Sequence, residues 1–295
     1  MQKYCDENSV EYSINEPLSK HTSFKIGGDA AIFISPSSPR QIADLIGLAT
    51  SNDVRYIFLG KGSNVLFRDS GYDGAIINIG KNLSKISLID DSTIYCEAGM
   101  PLSKLCLFAM ENSLTGLEFA YGIPGSVGGA AYMNAGAYGG EMKDALVQVR
   151  YIDENGNVKT AENDELDFSY RHSLFTDSGK CILGCTFKLD PGDKSEIKSK
   201  MDDFIHRRQT KQPLDFPSGG STFKRPEGAY ASALIDQCGL KGMRVGGAMV
   251  SKKHAGFVIN YNNATCQDVL DLVEKVKRIV KDKTGFTLEC EIKII

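Results

Sequence analysis

Apolar positions recur along this chain with two different periods, and the alternation between those periods lays out its elements. The apolar run at 31–34 predicts a strand, residues 39–50 carry apolar side chains at helical spacing, and 56–59 predict a second strand that ends on a glycine loop. A second unit repeats the theme with strands over 85–89 and 93–98, then a helix over 101–112 opened by Pro101 in its first turn. Strands over 147–153 and 158–160 flank Asn155-Gly156, the signature of a tight hairpin, and 181–189 predict a further strand.

Residues 191–194, Pro-Gly-Asp-Lys, mark the expected domain boundary. Beyond it the pattern predicts a charged helix over 194–211, a shorter helix over 229–237 closed by Gly239, and a strand over 256–260. The last helix has the clearest signals: Thr265 as N-cap, Val269, Val273, Val276 and Val280 on one stripe, and Gly285 as the stop. A closing strand alternates Leu288, Cys290, Ile292 and Ile294 with Glu289, Glu291 and Lys293, which places the charged set on the face away from the core.

Composition narrows the class. With 295 residues, 42% hydrophobic and 24% charged, the chain is long enough for two or three cores and is not of disordered type. A net charge of −3 gives no general attraction to nucleic acid or an anionic membrane, so an anionic ligand needs a local cluster of cations. The eight cysteines include no C-x-x-C pair and sit mostly in apolar runs, as reduced buried thiols do; no metal site is expected. Residues 1–10 lack the basic-then-apolar pattern of an export signal, and the expectation is a soluble, cytoplasmic protein.

The candidate chemistry starts from two glycine-dense loops: Gly60-Lys61-Gly62-Ser63-Asn64, and Gly122-Ile123-Pro124-Gly125-Ser126-Val127-Gly128-Gly129 followed by Ala130. Glycine lets backbone N–H groups approach phosphate closely. The first loop fails the dinucleotide fingerprint because Val65 stands where the third glycine should be, and no P-loop motif occurs. Each loop alone reads as a plain turn; the pair, with the glycine-rich stretch 134–140 behind it, points to one extended phosphate-bearing ligand. Ser221 is displayed by Gly219-Gly220 between two prolines, either as a turn residue or as a reactive hydroxyl, but not in a nucleophile elbow. Arg171, in the aromatic-flanked Tyr170-Arg171-His172-Ser173, reads either as an anion fork or as an ion pair with Glu165 or Asp167. Glu291 reads by default as a solvated residue. Cations are dense at Arg207, Arg208, Lys211, Lys224, Arg225, Lys241, Arg244, Lys252 and Lys253, at least half of them an ordinary solvated face.

Taken in order with Leu234-Ile235-Asp236-Gln237-Cys238-Gly239-Leu240-Lys241-Gly242 and Leu288-Glu289-Cys290-Glu291, these segments resemble the UDP-N-acetylenolpyruvoylglucosamine reductase family over nearly the whole chain. The resemblance implies an α+β architecture. In it an FAD-binding α/β domain of the vanillyl-alcohol oxidase and p-cresol methylhydroxylase type, in two subdomains (1–73 joined by the terminal strand 286–295, and 74–191), precedes a C-terminal α+β substrate domain (192–285). It implies NADPH-dependent, FAD-mediated reduction of UDP-N-acetylglucosamine enolpyruvate for peptidoglycan synthesis, by a monomer that binds neither nucleic acid nor membrane. Both glycine loops, with Ala130, would hold FAD; Ser221 would donate the proton, Arg171 and Glu291 would stabilise the intermediate, and Tyr170, Lys211 and Gly220 would contact substrate. The short run from 181–189 into 194–211 resembles the smaller form of the family, which lacks an inserted tyrosine loop, so the clamp on the UDP diphosphate is left unassigned. Arg225 stands where the larger form has asparagine, and that contact does not transfer. Two other readings stay open: a flavin oxidase or dehydrogenase on the same FAD domain, disfavoured because none of the four histidines lies in either loop, and a flavin- or nucleotide-sugar-binding protein without catalysis.

Overall fold

A computed structural model describes residues 1–295. The chain forms two compact units, one of residues 1–14, 32–61 and 74–208, the other of residues 15–31, 62–73 and 209–295. The chain passes from one unit to the other within the strands Glu11–Pro17, Asp29–Ser35 and Tyr72–Asn78.

In the first unit, strand Tyr56–Leu59 runs parallel to Tyr72–Asn78 with Leu59 opposite Asn78, so the first glycine loop leaves from a strand end. Ser38 caps the helix Pro39–Ser51 by accepting a hydrogen bond from the Gln41 amide, and Ile42, Leu45, Ile46 and Ala49 are buried. A five-stranded antiparallel sheet follows in the order Val158–Glu162, Leu146–Ile152, Cys181–Lys188, Thr93–Glu97, Ile86–Asp90. Its central strand Cys181–Lys188 is buried except at Thr186 and Lys188, because it is paired on both edges and helix Val127–Tyr132 packs against it.

Three details depart from the sequence pattern. Pro101 is the N-cap of helix Leu102–Glu111 rather than a residue of its first turn. In the 153–157 hairpin only Gly156 has positive φ; Asp153 accepts from the amides of Asn155 (3.0 Å) and Asn157 (2.8 Å) and so shapes the turn that Asn155 alone would not. The compact units part at 208–209 rather than at the expected 191, because Ile197 and Met201 of helix Lys194–Lys211 are buried in the first unit's core.

The second unit is built around helix Cys266–Thr284. Thr265 and Asp268 form a capping box at its start, and Gly285 ends it in the left-handed conformation at φ 80°. Its stripe of Val269, Val273, Val276 and Val280 is buried with Phe24, Leu66, Phe223 and Leu288. Beside it lies a three-stranded antiparallel sheet of Arg244–Val245, Ala248–Val250 and Val258–Asn260. The closing strand is shorter than its alternation predicts: only Lys293–Ile294 pair, in parallel with Val65–Leu66. Ile294 is exposed rather than buried, and Glu291 is half-buried rather than solvated. The reason is that the strand is an edge partner to a two-residue neighbour and is held elsewhere by single bridges, such as Phe223 with Cys290. Seven of the eight cysteines are buried, all eight are free, and no helix is long and apolar enough to cross a membrane.

Candidate active site

The two glycine loops come together in the first unit. A Cβ built on Gly60 would lie 2.6 Å from Ser126 Oγ, closer than side-chain carbons and hydroxyls approach. Ser126 is buried, and as N-cap of helix Val127–Tyr132 it accepts from the Gly129 amide at 3.3 Å. The second loop is fixed from behind. Leu102 donates to the Gly125 carbonyl, Val127 to the Met100 carbonyl and Gly128 to the Ala98 carbonyl, and a Cβ on Gly128 would lie 2.7 Å from that of Ala98. Gly128 is thus required for helix-on-strand packing. Further along the first loop, Gly62 has φ 59°, and a Cβ there would lie 2.2 Å from the His21 carbonyl oxygen within the second unit.

This donor set fits a diphosphate. The loops present backbone instead of side chains, and two cations, Lys61 and Arg208, have no acidic partner within ion-pair distance. The Arg208 stem passes 3.2 Å from where a Gly122 Cβ would stand.

Arg171 and Tyr170 belong to a second assembly in the first unit. Arg171 has φ 58°, an uncommon conformation for a side chain of this size, at the tip of a turn closed by the Ser169–His172 bridge. Asn134, buried in the stretch behind the second loop, pins this turn: its Nδ2 donates to the Ser169 carbonyl (3.1 Å) and to Glu141 Oε2 (2.8 Å). Arg171 Nη1 reaches the Gly136 carbonyl at 3.5 Å, and its guanidinium lies 5.4 Å from the Tyr170 ring centre. Burial would raise the Glu141 carboxyl, but hydrogen bonds from Lys143 and Asn134 and the charges of Lys143 and Arg171 outweigh it, and the pKa is lowered. Asp167 pairs with His172 at 3.2 Å, and Glu165 accepts from the Glu162 amide. Asn134 had no separate sequence signal; its place in a glycine-rich stretch masks a structural polar residue.

The other candidate residues lie in the second unit, where Glu291 and the Ser221 loop are joined through one backbone ladder. Thr222 donates from its amide to the Gly256 carbonyl, and its carbonyl accepts from the Glu291 amide at 2.9 Å. The Glu291 carbonyl in turn accepts from Asn64 Nδ2 at 3.2 Å. The end of the first glycine loop, Glu291 and the Ser221 loop are therefore adjacent. Ser221 is half-buried, its hydroxyl has no protein partner, and Gly220 before it has φ 79° with open space where a side chain would project. Gly219 is needed for packing, since a Cβ there would lie 2.8 Å from the Phe24 ring. Lys211 ends its helix in an exposed position.

The profile of an FAD binding domain matches residues 30–162, and that of the UDP-N-acetylenolpyruvoylglucosamine reductase C-terminal domain matches residues 212–295. A UDP-N-acetylenolpyruvoylglucosamine reductase from Clostridium novyi is 46% identical over 295 residues, covering 100% of this chain and 95% of its own length. One from Syntrophomonas wolfei is 46% identical over 282 residues, covering 96% and 94%. Among solved structures, the corresponding reductase from Thermus caldophilus superposes with a TM-score of 0.82 at 33% identity, covering 97% of this chain and 98% of that one. A berberine bridge enzyme variant shares only the fold, with a TM-score of 0.50 at 16% identity over 65% of this chain and 43% of its own. With both domains matched and relatives aligned from end to end, the chain belongs to the UDP-N-acetylenolpyruvoylglucosamine reductase family.

Proposed function

We propose that this protein reduces UDP-N-acetylglucosamine enolpyruvate to UDP-N-acetylmuramate, with NADPH as reductant and FAD as bound cofactor, in peptidoglycan synthesis. The observation that carries the reading is the union, in one chain, of an FAD binding domain and the reductase C-terminal domain, the former bringing two glycine loops into contact at Gly60 and Ser126.

When bound, FAD would supply hydride transfer from NADPH to the enol-ether carbon distal to the substrate carboxylate. The loops 60–64 and 122–130 would hold it, with Lys61 as a cation for its diphosphate. The chain's own residues then deal with charge and proton. Negative charge develops on the α-carbon and carboxylate, and Arg171, fixed by its turn and by Tyr170, is the cation for it. Glu291 assists as a hydrogen-bond donor when protonated. Ser221, whose hydroxyl has no competing protein partner, delivers the proton to the α-carbon. Tyr170, Lys211 and Gly220 would contact substrate.

The test is spectroscopic. NADPH should bleach the flavin, and UDP-N-acetylglucosamine enolpyruvate should restore its spectrum stoichiometrically. A flavin that bleaches but recovers only with oxygen would reject the substrate and leave the cofactor.

A further inference from the structure

Arg208 is half-buried, whereas the other basic residues of its helix are exposed. On the same face-to-face turns, Lys198 pairs with Asp202 and Arg207 with Asp203 at 2.7 Å, while Arg208 meets no carboxylate. Its side chain turns inward instead, over the second glycine loop: a Cβ on Gly122 would lie 3.2 Å from Arg208 Cδ and 3.8 Å from Nη1. Tyr138 stacks on Phe204, one turn back along the helix, with ring centres 4.5 Å apart, and its hydroxyl donates to the Phe204 carbonyl at 3.1 Å. Burial lowers the Arg208 pKa, with Tyr138 opposing weakly. A guanidinium taken partly out of water without a counter-ion is costly, and its planar fork matches the oxygens of a phosphate.

We propose that Arg208 is an anion-holding residue that binds the diphosphate of a nucleotide at the second glycine loop. The inference rests on the FAD and nucleotide-sugar reading given above, and both ligands carry that chemistry.

The experiment uses purified holoenzyme of the wild type, Arg208→Gln and Arg208→Lys. One arm follows release of FAD on dilution by the rise in free-flavin fluorescence; the other titrates UDP-N-acetylmuramate against the visible spectrum of the bound flavin. Glutamine is expected to weaken binding by about tenfold to a hundredfold in one arm, the usual range for losing a charged hydrogen bond, with lysine recovering part of it. Loss in the flavin arm assigns the FAD diphosphate, and loss in the sugar arm assigns that of the substrate. Unchanged binding in both arms overturns the proposal. So does an equal loss in Arg208→Gln and Arg208→Lys with a lowered Tm, which would mean that the stem only packs on Gly122. Failure of the wild type itself to retain FAD or respond to the sugar nucleotide would strike the underlying reading instead.

Discussion

Ser126 Oγ stands 2.6 Å from the point where a Gly60 side chain would begin, so each loop limits what the other can carry. Gly60→Ala should therefore push the two loops apart and release flavin, read as a lower fraction of FAD in the purified protein. Pairing it with Ser126→Gly removes the obstructing hydroxyl and should restore most of the flavin, at a cost of a few tenths of a kcal/mol from the weakened helix cap. A double variant no better than Gly60→Ala would show that the close approach is not what excludes a side chain at Gly60.

Gly62 and Gly220 both have positive φ, yet they should respond differently to alanine. Gly220→Ala meets open space and incurs only the backbone penalty, about 1–2 kcal/mol. Gly62→Ala adds a contact of 2.2 Å with the His21 carbonyl and should be the more destabilising by thermal melting. Equal losses in Tm would mean that the His21 turn yields freely.

If Ser221 supplies the proton, Ser221→Ala should bleach with NADPH at a near-normal rate while product formation falls by about a hundredfold to ten-thousandfold. Stopped-flow absorbance separates the two half-reactions. Equal loss in both would remove Ser221 from the proton-transfer role.

His254 offers a pH signature. Burial, and then the Lys241 charge, lower its pKa, and its Nδ1 accepts from the Gly256 amide, a role only the neutral ring can fill. The folded state thus disfavours the proton that the unfolded chain takes up near pH 6.5. This contribution to stability is present above that pH and is lost as pH falls through the lower folded value. His254→Gln should flatten the decline of Tm between about pH 7 and pH 5; an unchanged slope would assign that decline to other groups.

Much of this was legible in the sequence where local chemistry decides. Thr265, Gly285 and the valine stripe specify the last helix almost unaided, and the strand ending at Leu59 delivers its glycine loop as the pattern implies. What the pattern missed depends on distant partners. The alternation at 288–294 promised a regular strand, but only Val65–Leu66 is available to pair with its end, so Ile294 is exposed. The charged helix Lys194–Lys211 looked like the start of a new domain because so few of its residues are apolar, yet Ile197 and Met201 suffice to bury it in the first core. Arg208 was one cation among nine until the partners of its neighbours became visible.

The joining of Asn64 to Glu291 spans 227 residues within one unit. During synthesis at about 5–20 residues per second, Asn64 emerges roughly ten to forty-five seconds before the strand it must meet. The segments 15–31 and 62–73 must therefore wait, unsatisfied, while residues 209–295 are made. Their apolar members, Phe24, Ile26 and Leu66, are then a burden on the nascent chain that chaperones or slow collapse must shield. A fragment cut at the middle of the chain would strand them permanently, which makes this enzyme a poor subject for dissection into halves.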